Sequence, residues 1–312
     1  MSPRRTTPYP IDGFDYRLLD SGDFQKLEQF GPHRFIRPAP QAIWPKTLPV
    51  EEWRKADGKY EYFKGKESGG EWTLFHKLPK DGWRIGFDDL RFLVKPTGFG
   101  HIGLFPEQAL NWNWITDQLR RSGRAEGANV LNIFGYTGAS TLAAARAGAR
   151  VTHVDASKAS VSWARTNLEI SGLGERPVRW IVDDVIKFLT REHKRGRKYD
   201  GLILDPPSFG RGPRGEVWKI ENKLSELMEL SNNILSERPL FLLLTTHSPG
   251  FSGLTMQNML LSYLVKNGGG FKTGEMYIYD NASGLDLPNG FFSRWSSLPE
   301  DTPSGGGGQA RP

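Results

Sequence analysis

Beyond about residue 108 the apolar positions alternate between two spacings. Residues 108–121 carry Leu110, Trp114 and Leu119 at helical spacing. Short apolar runs then occupy residues 130–134, 151–154, 178–182, 201–204 and 240–244, and each predicts a buried strand. Helices are predicted over residues 141–147, 157–170, 185–191, 222–235 and 255–265, with Ser157 as the N-cap of the second. Residues 271–279 and 291–295 predict a closing antiparallel pair. Strands alternating with helices imply a doubly wound α/β fold, a mostly parallel sheet with helices on both faces. Residues 1–100 have a different texture: aromatic residues, prolines and glycines separate short apolar runs. There 72–75 and 91–94 predict strands, and 64–66 and 79–82 predict turns. The expected organisation is a β-rich N-terminal domain (1–104), the sheet domain (105–298) and a disordered tail (299–312) that contains four consecutive glycines.

Composition narrows the chemistry. The 312 residues hold 41 Lys and Arg against 35 Asp and Glu, a net charge of +6 that favours anionic partners such as nucleic acid. There is no cysteine, which removes disulfides, zinc–thiolate sites, iron–sulfur clusters and thiol nucleophiles. The six histidines are scattered singly, so no metal site is expected. No apolar run reaches the roughly 18 residues of a membrane span. The start, Met1-Ser2-Pro3-Arg4-Arg5, lacks the apolar stretch of a signal peptide, so a cytoplasmic protein is expected.

In a doubly wound sheet, ligands bind beyond the carboxyl ends of the strands. Four such ends are informative. The first reads Asn132-Ile133-Phe134-Gly135-Tyr136-Thr137-Gly138-Ala139-Ser140. Its glycines permit a tight turn and close approach of a ligand, and the next helix offers N–H groups to a carboxylate. The second ends at Asp155, a candidate acceptor for both ribose hydroxyls of a nucleoside. The glycines do not form G-x-G-x-x-G, so the cradle for a pyrophosphate is absent. The third ends in Asp183-Asp184, either of which suits an adenine amino group, although Asp183 also reads as a helix N-cap. The fourth ends in Asp205-Pro206-Pro207-Ser208-Phe209, a stiff loop presenting a carboxylate, backbone carbonyls and a stacking face in Phe209. The plainer readings are a turn with an Asp cap, an N-cap and a rigid turn over a buried Phe.

Together with Val154-Asp155-Ala156-Ser157, Ala164 with Asn167, and Asp183-Asp184-Val185, these segments resemble the class I S-adenosylmethionine-dependent methyltransferases that modify bacterial 23S ribosomal RNA at cytosine C5 or guanine N7. The resemblance covers roughly residues 105–250. Gly103-Leu104-Phe105-Pro106-Glu107-Gln108 looks like the segment preceding the cofactor domain, with Glu107 where the family has Asp. The N-terminus does not look like the pseudouridine-synthase-type RNA-binding domain that some relatives carry. The resemblance implies a Rossmann-like sheet with S-adenosylmethionine as cofactor. It implies that the loop of Asn132, Phe134, Gly135, Tyr136, Thr137 and Gly138, with Gln108, holds the methionine moiety. Asp155, Ala156 and Ser157 would hold the ribose, Asp183 or Asp184 the adenine, and Asp205, Pro206, Pro207, Ser208 and Phe209 the substrate side. It also implies an RNA substrate, most of all ribosomal.

The acceptor atom is constrained independently. Cytosine C5 becomes nucleophilic only after a thiolate adds to the ring. In the segment Thr245-Thr246-His247-Ser248-Pro249-Gly250, Ser248 stands where the cytosine enzymes have that Cys, so 5-methylcytosine is rejected. A ring nitrogen or exocyclic amine remains, although adenine-amine enzymes usually carry an aromatic residue where this chain has Ser208. His247 reads as a general base or as a hydrogen-bonded loop histidine. The basic runs at 193–198 and 211–214 are candidate phosphate contacts, or simply solvated loops. The competing functions are methylation of a protein or small molecule, a nicotinamide-dependent dehydrogenase, and an RNA-binding protein on a decayed enzyme fold.

Overall fold

Alternating inward and outward residues build the N-terminal part of the computed structural model, which describes residues 11–65, 69–248, 250–264 and 268–299. One sheet runs in chain order through β1 (Tyr16–Gly22), β2 (Gln25–Phe30), β3 (His33–Pro38), β4 (Gly58–Tyr62) and β5 (Gly70–Leu74). All neighbours are antiparallel except β3 and β4. A parallel pair needs a crossover, supplied by residues 39–57 with the short helix α1 (Val50–Trp53). Buried Asp20 pins that crossover, accepting from the Leu48 N–H at 2.8 Å and the Trp53 indole at 2.9 Å. A separate hairpin follows, β6 (Trp83–Phe87) with β7 (Leu90–Val94). The strands predicted at 72–75 and 91–94 appear as β5 and β7. The other strands escaped notice because polar residues, Asp20, Ser21 and Glu28 among them, point inward there.

The remainder alternates as expected: α2 (Ala109–Arg121), β8 (Asn129–Ile133), α3 (Ala139–Arg146), β9 (Arg150–Asp155), α4 (Lys158–Ile170), β10 (Val178–Val182), α5 (Val185–Lys194) and β11 (Gly201–Leu204). An unpredicted hairpin, β12 (Phe209–Arg211) with β13 (Val217–Lys219), precedes α6 (Ile220–Asn233), β14 (Phe241–Thr246) and α7 (Gly253–Leu264). The closing strands are β15 (Gly270–Tyr279) and β16 (Asp286–Ser296). The central sheet has the order β10-β9-β8-β11-β14-β16-β15. The first five strands are parallel, and β16 inserts antiparallel between β14 and β15. Successive strand residues face opposite cores. Val130, Ile203 and Leu243 pack with Trp112 and Leu142 on one side. Leu131, Leu202 and Leu244 pack with Phe188, Leu224 and Leu260 on the other. This is the Rossmann-like doubly wound arrangement, and the strand order reverses between β8 and β11, where a cleft opens.

The N-terminal sheet and the β6–β7 hairpin share one core with the larger sheet. Phe14 and Phe87 set their edges against the Trp112 ring, at centroid distances of 6.1 and 5.1 Å. The glycine-rich tail, Lys66, Pro249 and Val265 lie outside the described residues.

Candidate active site at the strand ends

The turn after β8 is built by backbone strain and close packing. Phe134 and Tyr136 adopt positive φ, 57° and 48°, as does Gly138 at 88°. Gly135 is required by a neighbour: a Cβ there would lie 2.4 Å from the His153 ring. A Cβ on Gly138 would lie 2.8 Å from that of Ala164. The glycines thus make room for protein at the turn. His153 is buried, and burial pushes its pKa down to about 3, so it sits uncharged under the turn. Its Nδ1 shares a 2.9 Å hydrogen bond with the Thr141 hydroxyl, which also accepts from Asn132 Nδ2 at 2.9 Å. Thr137 donates to the Gly103 carbonyl at 2.7 Å. A recess of about 40 Å³ lies here, bounded by Asn132, Gly135, Thr137, Gly138, Gln108 and Asp205, and the first turn of α3 opens onto it.

Asp155 ends β9 beside this turn. Its Oδ2 accepts the Tyr136 N–H at 2.9 Å and its Oδ1 the Ser157 N–H at 2.8 Å. Burial raises its pKa, and the two backbone bonds oppose that shift. Each oxygen retains a lone pair for a further donor. Ser157 is the N-cap of α4, accepting from the Ser160 N–H at 3.1 Å. At the end of β10 the two acids separate. Asp184, not Asp183, is the N-cap of α5, accepting from the Lys187 N–H at 2.9 Å. Asp184 lines the cleft, whereas Asp183 is ion-paired with Arg191.

Asp205 is held by two hydrogen-bond donors, with His247 as a charged neighbour. Its Oδ1 accepts from the Thr245 hydroxyl at 2.6 Å, its Oδ2 from Gln108 Nε2 at 3.3 Å, and His247 Nδ1 lies 3.9 Å away. Gln108, expected at the cofactor, spends its amide on Asp205, Thr245 and Asn111 while also bordering the recess. Burial raises the Asp205 pKa, against the pull of His247 and Thr245. Pro206, Pro207 and Ser208 line the same cleft. The Ser208 hydroxyl lies 2.7 Å from that of Ser248. Phe209 does not line the cleft; it is 53% exposed on β12, so the expected stacking face points elsewhere. Trp218 of β13 fills that wall, donating to the Pro207 carbonyl at 2.6 Å, its ring 4.8 Å from Phe134. The cleft measures about 490 Å³ and runs from Asp155 and Asp184 past Asp205 to His101 and His247. A second cavity of about 240 Å³ meets it at His101, Phe105 and His247. Its walls include Tyr60, Tyr62, Phe99, Lys26 and Arg37.

His247 Nε2 bonds to buried Glu107 at 2.9 Å. Burial opposes the imidazolium, yet the Glu107 bond and the Asp205 charge hold its pKa above the ordinary value. Burial likewise opposes the Glu107 carboxylate, and the His247 bond holds its pKa below the ordinary value. The stabilisation from His247 is complete below the ordinary histidine pKa and is lost as pH rises through the raised one. That from Glu107 is complete above the ordinary glutamate pKa and is lost as pH falls through the depressed one. The difference in Tm between wild type and His247→Gln should therefore be largest in mildly acidic buffer and shrink on raising the pH. A pH-independent difference would show that the imidazole is neutral in the pair.

A glycine turn, an acid after the second strand and an Asp-Pro-Pro loop around one cleft match a known family model. The S-adenosylmethionine-dependent methyltransferase model aligns with residues 49–235. The chain belongs to this family. A SAM-dependent methyltransferase structure from Agrobacterium tumefaciens is 38% identical, with a TM-score of 0.86 over 91% of each chain. A methyltransferase structure solved with S-adenosylhomocysteine is 19% identical, with a TM-score of 0.67 over 90% of this chain and 75% of that one, and shares the fold. The ribosomal RNA large subunit methyltransferase K/L of Pseudomonas aeruginosa is 30% identical over 237 residues, 72% of this chain and 30% of that protein. This chain thus spans about 30% of that curated relative's length. S-adenosylmethionine is the cofactor of the family, and the nicotinamide reading is set aside.

For this methyltransferase the sequence did not disclose His101, Tyr60 or Trp218, because single aromatics carry no spacing signal. Nor did it disclose that Glu107 and Gln108 serve His247 and Asp205. Among the described residues there is no cluster of His, Asp and Glu able to hold a metal, and no helix is long and apolar enough to cross a membrane.

Proposed function

We propose that this methyltransferase acts on a nitrogen, in the ring or exocyclic, of a base in structured RNA, with ribosomal RNA the foremost candidate. The observation that carries the reading is the second cavity, which meets the cofactor cleft beside Asp205. Tyr62 and Phe99 offer exposed aromatic surface to an unstacked base. Lys26 and Arg37, both bound to Glu28, place cationic side chains in the wall of this cavity. The name of the Pseudomonas relative supports the same substrate.

The chain's residues fit the cofactor. The recess under the Gly135 turn and the N-terminus of α3 suit the methionine carboxylate, with Asn132, Phe134, Tyr136, Thr137 and Gly138 shaping it. The free lone pairs of Asp155 suit the ribose hydroxyls, with Ala156 and Ser157 alongside, and Asp184 suits the adenine amine. When bound, S-adenosylmethionine supplies an electrophilic methyl group for in-line displacement. For an exocyclic amine, Asp205 accepts a hydrogen bond from the N–H and so turns the nitrogen lone pair toward the methyl carbon; for a ring nitrogen it orients the base through a neighbouring N–H. Positioning of this kind supplies about 7–11 kcal/mol in well-oriented reactions. For an exocyclic amine the C–N bond forms as the C–S bond breaks, and the surplus proton passes to Asp205 and from there to solvent.

The test is incubation with methyl-labelled cofactor and ribosomal RNA, protein and small-metabolite fractions. Label should enter RNA as an N-methylated base, never as 5-methylcytosine, and incorporation should fall with added salt. Label confined to protein or metabolites would overturn the RNA assignment, and RNA binding without transfer to any fraction would favour a decayed enzyme. In calorimetry, Asp155→Ala should weaken S-adenosylhomocysteine by about 1–3 kcal/mol.

A further inference from the structure

We infer that Arg294, on β16 and outside the cofactor cleft, is a positioning residue that sets the direction of a hydrogen-bond relay ending on Asp205. Arg294 Nε and Nη2 donate to Asn111 Oδ1 at 3.0 and 2.6 Å, and Nη2 also donates to the Leu110 carbonyl at 3.2 Å. Asn111 Nδ2 donates to Gln108 Oε1 at 2.6 Å. Gln108 Nε2 donates to Asp205 Oδ2 at 3.3 Å and to the Thr245 hydroxyl at 3.2 Å. Thr245 donates onward to Asp205 Oδ1 at 2.6 Å.

A guanidinium has donors and no acceptor, whereas each amide has one end of either kind. Arg294 therefore forces the Asn111 oxygen toward itself and the Asn111 nitrogen toward Gln108. Gln108 must then meet it with oxygen, which turns its nitrogen to Asp205. A neutral residue at 294 leaves the Asp205 carboxylate alone to hold both amides in this direction, and a reversed Gln108 sets oxygen against carboxylate. Arg294 is suited to this because no carboxylate pairs with it among the described residues. It lies instead 5.1 Å from the Trp114 ring centre and 4.4 Å from that of Phe292. Burial lowers its pKa to about 10, which leaves it charged at neutral pH. The other ionisable groups near Asp205 are His247 and, beyond it, Glu107.

The relay rests on the proposed role of Asp205, but its principal test needs no acceptor. In protein labelled at the aspartate carboxyls, the Asp205 resonance is assigned by its loss in Asp205→Ala and titrated by NMR. Arg294→Met should raise the Asp205 pKa by about one unit. Arg294→Lys, still only a donor, should restore most of it. Asn111→Asp keeps a partner for Arg294 and so protects the fold, yet its carboxylate competes with Asp205 for the Gln108 N–H groups and should raise the Asp205 pKa likewise. With the acceptor in hand, Arg294→Met should lower kcat about tenfold, the cost of one hydrogen bond to a charge, with KM nearly unchanged. An unmoved Asp205 titration in folded Arg294→Met and Asn111→Asp would overturn the relay. A wild-type enzyme inactive on RNA would overturn the substrate reading alone.

Discussion

Asp205→Ala should lower turnover about 10²–10³-fold, the scale for losing one preorganised polar group at a reacting centre. Affinity for S-adenosylhomocysteine should stay within about threefold, because a group that acts on the acceptor leaves cofactor binding alone. The reason is geometric. Asp205 stands where the recess, the main cleft and the approach to the second cavity converge, and its oxygens are already oriented by Thr245 and Gln108. Truncation also strands those two donors, each a cost of about 1–3 kcal/mol if left unsatisfied. Thermal melts must therefore accompany the kinetics. Asparagine is no conservative substitute, since its NH₂ would face one of the donors. Loss of turnover matched by equal loss of S-adenosylhomocysteine binding would move Asp205 to the cofactor. Unchanged turnover would remove it from the chemistry.

The strand ends were legible in the sequence because each combines a periodic signal with a conformational one. A buried apolar run stops at a glycine turn, an acid or two prolines, and the doubly wound topology brings those ends to one edge. Ser157 was legible as a cap for the same local reason. The N-terminal sheet was not, because its inward positions include Asp20, Ser21 and Glu28, which tertiary partners satisfy: Asp20 binds the Trp53 indole and Glu28 binds Arg37. The β12–β13 hairpin, with three residues per strand, is too short to show a period. It decides which aromatic lines the cleft, Trp218 rather than Phe209, and no spacing along the chain announces that. Arg294 was invisible for another reason. Its importance lies in polarity passed through Asn111 and Gln108, and no spacing along a strand records that.

Gly135→Ala should destabilise the fold by about 1–3 kcal/mol, the usual cost of overpacking a well-packed site. It should also weaken S-adenosylhomocysteine. The added Cβ would lie 2.4 Å from His153 Cε1 and 2.6 Å from Nδ1. The ring cannot retreat: it is fully buried, bonded to Thr141, and covered by Trp180 at 5.0 Å between ring centres. The turn must yield instead. That pulls the Tyr136 N–H away from Asp155 and disturbs two residues already held at positive φ. His153→Ala alone should destabilise by leaving a cavity, but in the double variant the new methyl group occupies part of the vacated space. The two changes should therefore be less costly together than their sum, with a coupling of about 0.5–3 kcal/mol measured from urea midpoints. Strict additivity would show that the turn does not rest on His153, and the packing account of Gly135 would then give way to one in which the glycine serves the ligand.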